Sequence, residues 1–345
     1  MQKPFFSIII PAYNLENYIA AALQSVLVQT FQDFEIIIVD DGSSDETVSI
    51  IQPFHDPKIR LVFQVNGGVS RARNAGMKKA VGAYIAFLDG DDYWYPEHLE
   101  LAADFFNRHP EILAYANRYM RDELEAIPPR PPSYPESIRR LGIRGVLFMN
   151  SSSVILNSSL ASRLPPWEEA MPYGEDGLYW TRCMRGTGLI GLGGSVTSIY
   201  RQRASSAMHD EHYQHISLHS LIAPLLNELE AMKNPKWQFA VHYLVIRELH
   251  PKRLLSLNAE ERISLTGRIR KIMHPCLNRP FLDSYMKACS ARAGMEQSFS
   301  ALMDRTMFSC KWLDRLERMG RSLFFRLQTN NGMESKHQDP VRSRS

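Results

Sequence analysis

The sequence predicts an α/β fold: a mostly parallel sheet flanked by helices, followed by a helical C-terminal region. Three observations carry this. Short apolar runs alternate with helix-spaced apolar stripes through residues 5–88. Each run is closed by polar, turn-forming residues. Hydrophobic residues make up 44% and charged residues 22% of the 345, a globular balance large enough for one α/β domain and an appendage.

The elements follow in order. Phe5 to Ile10 is an apolar run, broken only by Ser7 and ended by Pro11, as in a strand buried on both faces. Asn17 to Gln29 spaces Ile19, Leu23, Val26 and Leu27 on one helical face. Phe34 to Val39 is a second buried strand, stopped by Asp40-Asp41-Gly42-Ser43, with Ser44 a candidate cap for the next helix. Ile59–Val65, Ser70–Ala80 and Ala83–Leu88 predict strand, helix and strand. Alternation of this kind builds a parallel sheet, whose ligands bind beyond the carboxyl ends of its strands. The polar residues gather there: Tyr13 and Asn14, Asp40 and Asp41, Asn66, then Asp89, Asp91 and Asp92.

Prolines from Pro128 to Pro135 exclude helix and central strand, so this stretch is a loop over the site or a connector. Ser151–Leu156 predicts a strand and Glu175–Met184 a helix. From about His215 the pattern is helical only. Leu218, Leu221, Ile222, Leu225 and Leu229 form one stripe. Leu316, Met319, Leu323, Phe324 and Leu327 form another, set against Arg315, Arg318, Arg321 and Arg326. The expected division is 1–210 for the α/β domain, 211–328 for the helical region and 329–345 for a disordered polar tail.

Bulk properties exclude several classes. A net charge of +3 lacks the basic footprint of a nucleic-acid binder. The four cysteines, with no CxxC pair, signal neither zinc nor a disulfide scaffold. The N-terminal apolar run is too short for a signal peptide, and no apolar stretch is long enough to span a membrane. The expected location is the cytoplasm, with peripheral contact at the inner face of the membrane left open.

The sharpest chemical signal is Phe87-Leu88-Asp89-Gly90-Asp91-Asp92, where a strand delivers three carboxylates into one turn. Crowded like charge calls for a cation or donors, and oxygen ligands suit magnesium or manganese. The competing reading is a solvated turn with capping aspartates. Asp40-Asp41-Gly42-Ser43 can offer carboxylates to a base imide or ribose hydroxyl, or be a turn and cap. Asn66-Gly67-Gly68 followed by Arg71 and Arg73 suits a diphosphate at a helix start.

These motifs in this order resemble the family 2 glycosyltransferases. The likeness runs over residues 5–99, through Ser7-Ile-Ile-Ile-Pro-Ala-Tyr-Asn14, Ser25–Phe31, Glu35–Asp45, Asn66-Gly-Gly, Ala72-Arg-Asn-Ala-Gly76 and Gly82–Asp92, and more loosely to 203. It implies the GT-A nucleotide-sugar-binding fold and inverting transfer of a hexosyl or N-acetylhexosaminyl group with Mn2+ or Mg2+. A UDP-sugar is the favoured donor. A glycan or lipid-linked hydroxyl is the acceptor, in surface polysaccharide or lipopolysaccharide assembly. Pro11, Ala12 and Tyr13 would line the base pocket. Asp41 would bond the base with Asp40 in support, and Asn66 and Arg73 would lie near ribose and diphosphate. Asp91 would be the direct metal ligand, with Asp89 nearer the ribose and Asp92 behind them. Tyr173-Gly-Glu-Asp-Gly177 resembles the family's acidic pair, with Asp176 favoured over Glu175 as general base; both acids could instead only favour a helix N-terminus. A histidine expected after the last strand is missing, leaving Arg203 or His209 as substitutes. Alternatives are a sugar-1-phosphate nucleotidyltransferase, disfavoured by Pro11-Ala-Tyr-Asn14 where a glycine-rich loop belongs, or a non-catalytic sugar-nucleotide binder. The arginine-faced helix admits packing, a homodimer contact or an anionic membrane surface.

Overall fold

A computed structural model describes residues 3–122, 127–129, 131, 133–139, 149–202, 218–232, 241, 244–245 and 257–272. The elements are β1 (Phe6–Ala12), α1 (Ile19–Leu27), β2 (Phe34–Asp40), α2 (Thr47–Ile51), β3 (Ile59–Phe63), α3 (Val69–Lys79), β4 (Tyr84–Phe87), β5 (Tyr93–Trp94) and α4 (His98–Arg108). There follow β6 (Ala114–Asp122), β7 (Ser137–Arg139), β8 (Val154–Asn157), α5 (Ser158–Ala161), α6 (Glu175–Thr187), β9 (Ile190–Arg201), α7 (Leu218–Ala231) and α8 (Ala259–Ile272). The strands form one sheet in the order β3-β2-β1-β4-β8-β6-β9-β5, with β7 added on β9. β3, β2, β1 and β4 are mutually parallel, as expected, and β8 runs against both β4 and β6.

Why β1 sits centrally follows from its side chains. All seven of its residues are buried, which requires cover on both faces. Alternate residues point to opposite sides. Ile8 and Ile10 join the cluster under α1 and α4, whereas Ile9 joins the one containing α6 and α7. From β1 the chain winds outward through β2 and β3, then returns to place β4 on the other side of β1. That reversal opens a crevice beyond the carboxyl end of β1, the place where such sheets bind ligands.

Two local expectations need correction, and a third, left open between two readings, is decided. Ser44 does not cap α2. Asn14 Oδ1 takes the Ser44 amide, and Asp45 Oδ1 instead accepts from Thr47 N and Oγ1 at 3.0 and 2.6 Å. Ser151–Ser153 is a 3-10 turn, with Asn150 Oδ1 accepting from Ser152 N at 2.9 Å, and the strand begins only at Val154. The described part of the proline-rich stretch is a connector along β9: Tyr134 N donates to Gly194 O, and Pro128 O accepts from the Tyr95 hydroxyl.

The stripe on α7 is buried at Leu218, Leu221, Ile222, Leu225 and Leu229. Most of it shares a core cluster with Leu178 and Trp180 of α6. Glu228 fastens the two helices, accepting from Arg182 at 2.9 Å and Arg185 at 3.0 Å. The arginine-faced helix, Arg203 and His209 lie outside the described residues. Among the described residues no helix is long and apolar enough to cross a membrane.

Gly76 marks the closest approach of α3 to the sheet. A Cβ there would sit 2.5 Å from Ile9 Cγ2. Alanine gains up to about 1 kcal/mol of helix propensity, but overpacking a close-fitted core costs about 1–3 kcal/mol. Gly76→Ala is therefore expected to lower stability in urea unfolding, although the same change on an exposed helix face would raise it.

Candidate active site

The crevice is walled by four loops. The first follows β1. Pro11 and Ala12 are buried in the strand, but Tyr13 is 48% exposed and offers its ring to the opening. Asn14 adopts φ 51°, a left-handed conformation asparagine tolerates. From there its side-chain oxygen accepts from Ser44 N at 2.9 Å, tying the end of β1 to the loop after β2.

In that second loop Asp40 closes the turn, both its oxygens accepting from Ser43 N at 3.3 Å. Asp41 does more. Its Oδ1 accepts from Gln64 Nε2 at 2.6 Å and Gly67 N at 2.9 Å, and its Oδ2 from Gly68 N at 2.7 Å. The buried Asp41 carboxylate thus clamps the third loop, which carries the exposed Asn66 into α3. Three of about four lone-pair positions are occupied, so one remains for a further donor. Gly68 permits the clamp: its φ is 87°, a region costly for other residues.

Arg73 lies one turn into α3 and is almost wholly buried. Its Nη2 donates to Asp89 Oδ1 at 2.7 Å and its Nη1 to Glu175 Oε1 at 2.9 Å. Its guanidinium carbon stands 4.5 Å from the centroid of the Trp167 ring. Burial pulls the guanidinium's proton affinity down, but Asp89 and Glu175 outweigh it and hold it above the ordinary arginine range. Burial, with Asp176 alongside, pushes the Glu175 carboxyl up to about 7 against the pull of Arg73. Asp176 is half-buried, and its Oδ1 accepts from the adjacent Gly177 N.

The fourth loop is the Asp89–Asp92 turn. Gly90 lets it press on the end of β1, where a Cβ would lie 3.0 Å from Pro11 O. Asp92 is buried and faces away from solvent. Its Oδ2 accepts from Ser152 Oγ at 2.6 Å and its Oδ1 from Arg201 N at 3.0 Å. Burial and the neighbouring Asp91 and Asp89 raise its carboxyl well above the ordinary range. Ser152 also accepts from Asp89 N at 3.0 Å, and Arg201 Nε donates to Asp91 O at 2.9 Å. The turn is thereby fixed by Ser152 and Arg201, neither legible as functional in the sequence. Ser152 stands in an undistinguished Asn-Ser-Ser-Ser run and Arg201 in Ile-Tyr-Arg, neither with a motif around it. Trp167 was also missed. The only signal was a lone aromatic after Pro165-Pro166.

Three expected site residues therefore meet directly, Asp89, Arg73 and Glu175. Asp41 and Asn66 belong to one clamped loop pair, and Asp91 is half-buried in the adjoining turn.

Comparison with known proteins gives the family and the fold. The family model described as "Glycosyl transferase family 2" matches residues 7–159. The Escherichia coli UDP-Glc:alpha-D-GlcNAc-diphosphoundecaprenol beta-1,3-glucosyltransferase WfgD is 31% identical over 212 residues, 60% of this chain and 80% of that protein. The chain belongs to glycosyltransferase family 2. Three further curated glycosyltransferases match over stretches spanning only 19% to 59% of their own lengths. The structure of S. aureus TarS 1–349 in complex with UDP-GlcNAc aligns with a TM-score of 0.64 and 20% identity, covering 89% of this chain and 92% of that one. The mannosyltransferase PcManGT from Pyrobaculum calidifontis, in complex with GDP-Man and Mn2+, aligns with a TM-score of 0.54 and 15% identity over 90% and 88% of the two chains. These likenesses show the GT-A fold for this family 2 chain.

The donor set of this family member fits a divalent cation on one condition. Among the described residues no group of three or more His, Cys, Asp and Glu is arranged to hold a metal by itself. Asp92 is spent on Ser152 and Arg201, and one oxygen of Asp89 on Arg73. A cation held at this turn would be met by Asp91 and the second oxygen of Asp89. Magnesium-type sites commonly combine one or two carboxylates with waters and substrate phosphates, so the fit holds if a diphosphate completes the shell.

Two outcomes follow for stability. Arg73→Met leaves two carboxylates without their countercharge and should cost about 3–5 kcal/mol in urea unfolding. The Glu175 carboxyl, raised in the folded state from 4.5 to about 7, makes the native protein hold this proton longer than the unfolded chain. Its contribution is full below pH 4.5 and falls as pH rises to 7, by up to about 1.4 kcal/mol per pH unit. Stability curves of wild type and Glu175→Gln, measured from pH 4.5 to 8, should show that slope removed in the variant.

Proposed function

We propose that the chain is an inverting glycosyltransferase that moves a hexosyl or N-acetylhexosaminyl group from a nucleoside-diphosphate sugar to a hydroxyl acceptor. One observation carries the reading: a single buried guanidinium bonds the aspartate turn on one side and, 102 residues away in sequence, the acidic pair of α6 on the other. A donor-side motif and a carboxylate pair suited to proton removal therefore share one crevice.

In this reading Tyr13 packs on the base, with Pro11 and Ala12 as the wall behind it. The open lone pair of Asp41 accepts from the base, and Asp40 holds the turn. Asn66 and Arg73 lie toward ribose and diphosphate. Asp91 and Asp89 would hold Mn2+ or Mg2+, which would supply charge neutralisation for the diphosphate leaving group. Asp176, rather than Glu175, is the base. Glu175 is committed to Arg73 and carries a raised carboxyl, whereas Asp176 is partly exposed and, among the described residues, takes only the amide of the adjacent Gly177. Asp176 takes the proton of the acceptor hydroxyl while that oxygen attacks the anomeric carbon. The bond from that carbon to the diphosphate oxygen breaks, and the diphosphate leaves with the electron pair. One base and attack opposite the leaving group invert the anomeric configuration.

UDP-sugars are the favoured donors, supported by the UDP-glucose in the name of WfgD and by the UDP-GlcNAc complex of TarS. A glycan or lipid-linked acceptor in surface polysaccharide or lipopolysaccharide assembly, at the cytoplasmic face of a membrane, is proposed by analogy with WfgD. Residues 1–210 would form the transfer domain, with 211–328 bracing it and contributing any membrane or dimer contact.

The test is release of UDP from UDP-glucose and UDP-GlcNAc with manganese, with and without an acceptor extract. Asp176→Asn should bind UDP as wild type and turn over at least about 100-fold slower, since only the proton acceptor is lost. Asp91→Ala should lose both turnover and the manganese-dependent gain in UDP affinity. Wild-type rates in EDTA would refute the metal role. A crippled Glu175→Gln beside an active Asp176→Asn would reverse the assignment within the pair.

A further inference from the structure

Between Ala161 and α6 the chain runs through a loop whose hold on α3 is unusually specific. Asn74, the residue after Arg73, is buried and makes three hydrogen bonds to it. Its Nδ2 donates to Trp167 O at 3.0 Å and to Glu169 Oε1 at 2.8 Å, and its Oδ1 accepts from Trp167 N at 2.9 Å. This two-way bond to the backbone of one residue fixes where Trp167 stands. The Trp167 ring then fits between the Arg73 guanidinium, 4.5 Å from the centroid, and the Tyr179 ring of α6, stacked at 4.0 Å and 9°. It also meets Phe87 of β4 and Trp180 of α6 edge to face, at 5.4 and 5.3 Å.

Hydrogen bonding is not what keeps the indole here. Among the described residues, Trp167 Nε1, Arg73 Nε and Trp180 Nε1 are buried without an acceptor. Buried donors left unpaired are costly and rare. What the indole supplies here is a flat, rigid face, against the Arg73 guanidinium and the Tyr179 ring. The face of Trp167 sets the plane of the guanidinium, and that plane must be right for Arg73 to reach Asp89 and Glu175 together.

We propose that Asn74 and Trp167 are positioning residues for the transfer reaction: Asn74 seats the Trp167 loop, Trp167 orients Arg73, and Arg73 sets α6 so that Asp176 meets the acceptor. This rests on the assignment of Asp176 as base. Asn74 and Trp167 touch neither donor nor acceptor. Their loss acts on turnover through misplacement of the carboxylate, and a displacement near 1 Å costs on the order of 100-fold in such reactions.

The experiment is steady-state UDP release from UDP-glucose and UDP-GlcNAc with manganese, alongside UDP titration by thermal shift. Trp167→Leu keeps an apolar side chain but no flat face. It should lower kcat by roughly 10- to 100-fold and leave donor KM within about twofold. Trp167→Phe restores a face and should recover to within about fivefold of wild type. Asn74→Asp keeps the acceptor for Trp167 N but sets a carboxylate against Glu169. It should lose kcat in the same way, and Glu169→Gln added to it should restore part of the loss.

Equal kcat in Trp167→Leu and wild type would overturn the proposal. So would equal losses in the Leu and Phe variants, or a loss confined to KM, since these mark plain packing or donor binding. Should Trp167→Leu fail to fold, the Asn74→Asp and Asn74→Asp/Glu169→Gln pair decides on the same terms. Asp176→Asn run in parallel separates the two claims. If it is inactive while Trp167→Leu turns over normally, only the positioning role fails. If Asp176→Asn is fully active, the base assignment fails and this inference with it.

Discussion

Two ion pairs from one buried arginine hold this site together. Arg73 carries the only described cation bonded to both Asp89 and Glu175, and it does so where water cannot stand in. Remove it and the carboxylates face burial without compensation, a large cost in a low-dielectric interior. Keep it, and the turn after β4 and the start of α6 cannot drift apart. An arginine suits the task better than a lysine, because a planar fork can bond two carboxylates in different directions while its face rests on an aromatic ring. The helix itself is placed by small residues. Ala72 and Gly76 allow α3 to lie against the sheet, so Arg73 and its neighbour Asn74 are directed at the Trp167 loop and α6.

The sheet decides what can reach that arginine. β1 lies between β2 and β4 because the winding reverses there, and the loops after all three strands open into one crevice. The loops after β2 and β4 are fixed by carboxylates that serve structure before any ligand arrives, Asp40 and Asp41 on the β2 side and Asp92 on the β4 side, and the loop after β1 is tied by the side-chain amide of Asn14. Asp89 and Asp91, in the same turn as Asp92, are only partly buried. In the turn after β4 the acids therefore divide into buried Asp92, which builds the cradle, and partly exposed Asp89 and Asp91, the kind of pre-organisation polar sites use. The helices beyond β9 belong to this scheme. α7 is buried on α6 through its leucine stripe and the Glu228 bonds to Arg182 and Arg185, so α6 is gripped from both sides.

Much of this was legible before any coordinates. Strand runs such as Phe34–Val39 and the helix carrying Arg73 stand within a residue or two of their expected bounds, because burial on both faces leaves a strong local signal. The acidic turns were legible for the same reason, since carboxylates at strand ends are conspicuous. The partners that fix them were not. Ser152 reaches Asp92 from 60 residues away and Trp167 meets Asn74 from 93. Serine and tryptophan at those positions carry no periodicity and no charge, so only the folded arrangement discloses what they touch. Ser44 misled for a related reason. Its amide was claimed by Asn14 across the crevice, a tertiary bond that local capping rules cannot foresee.

The bridge is tested most directly by a double-mutant cycle on folding stability, with Asp89→Asn, Glu175→Gln and the pair measured by urea unfolding at pH 8, where Glu175 is ionised. Both changes act through one guanidinium, so they should not add: a coupling of about 0.5–3 kcal/mol is expected. Additivity within about 0.3 kcal/mol would mean that Asp89 and Glu175 are held independently, and would contradict a site organised around Arg73.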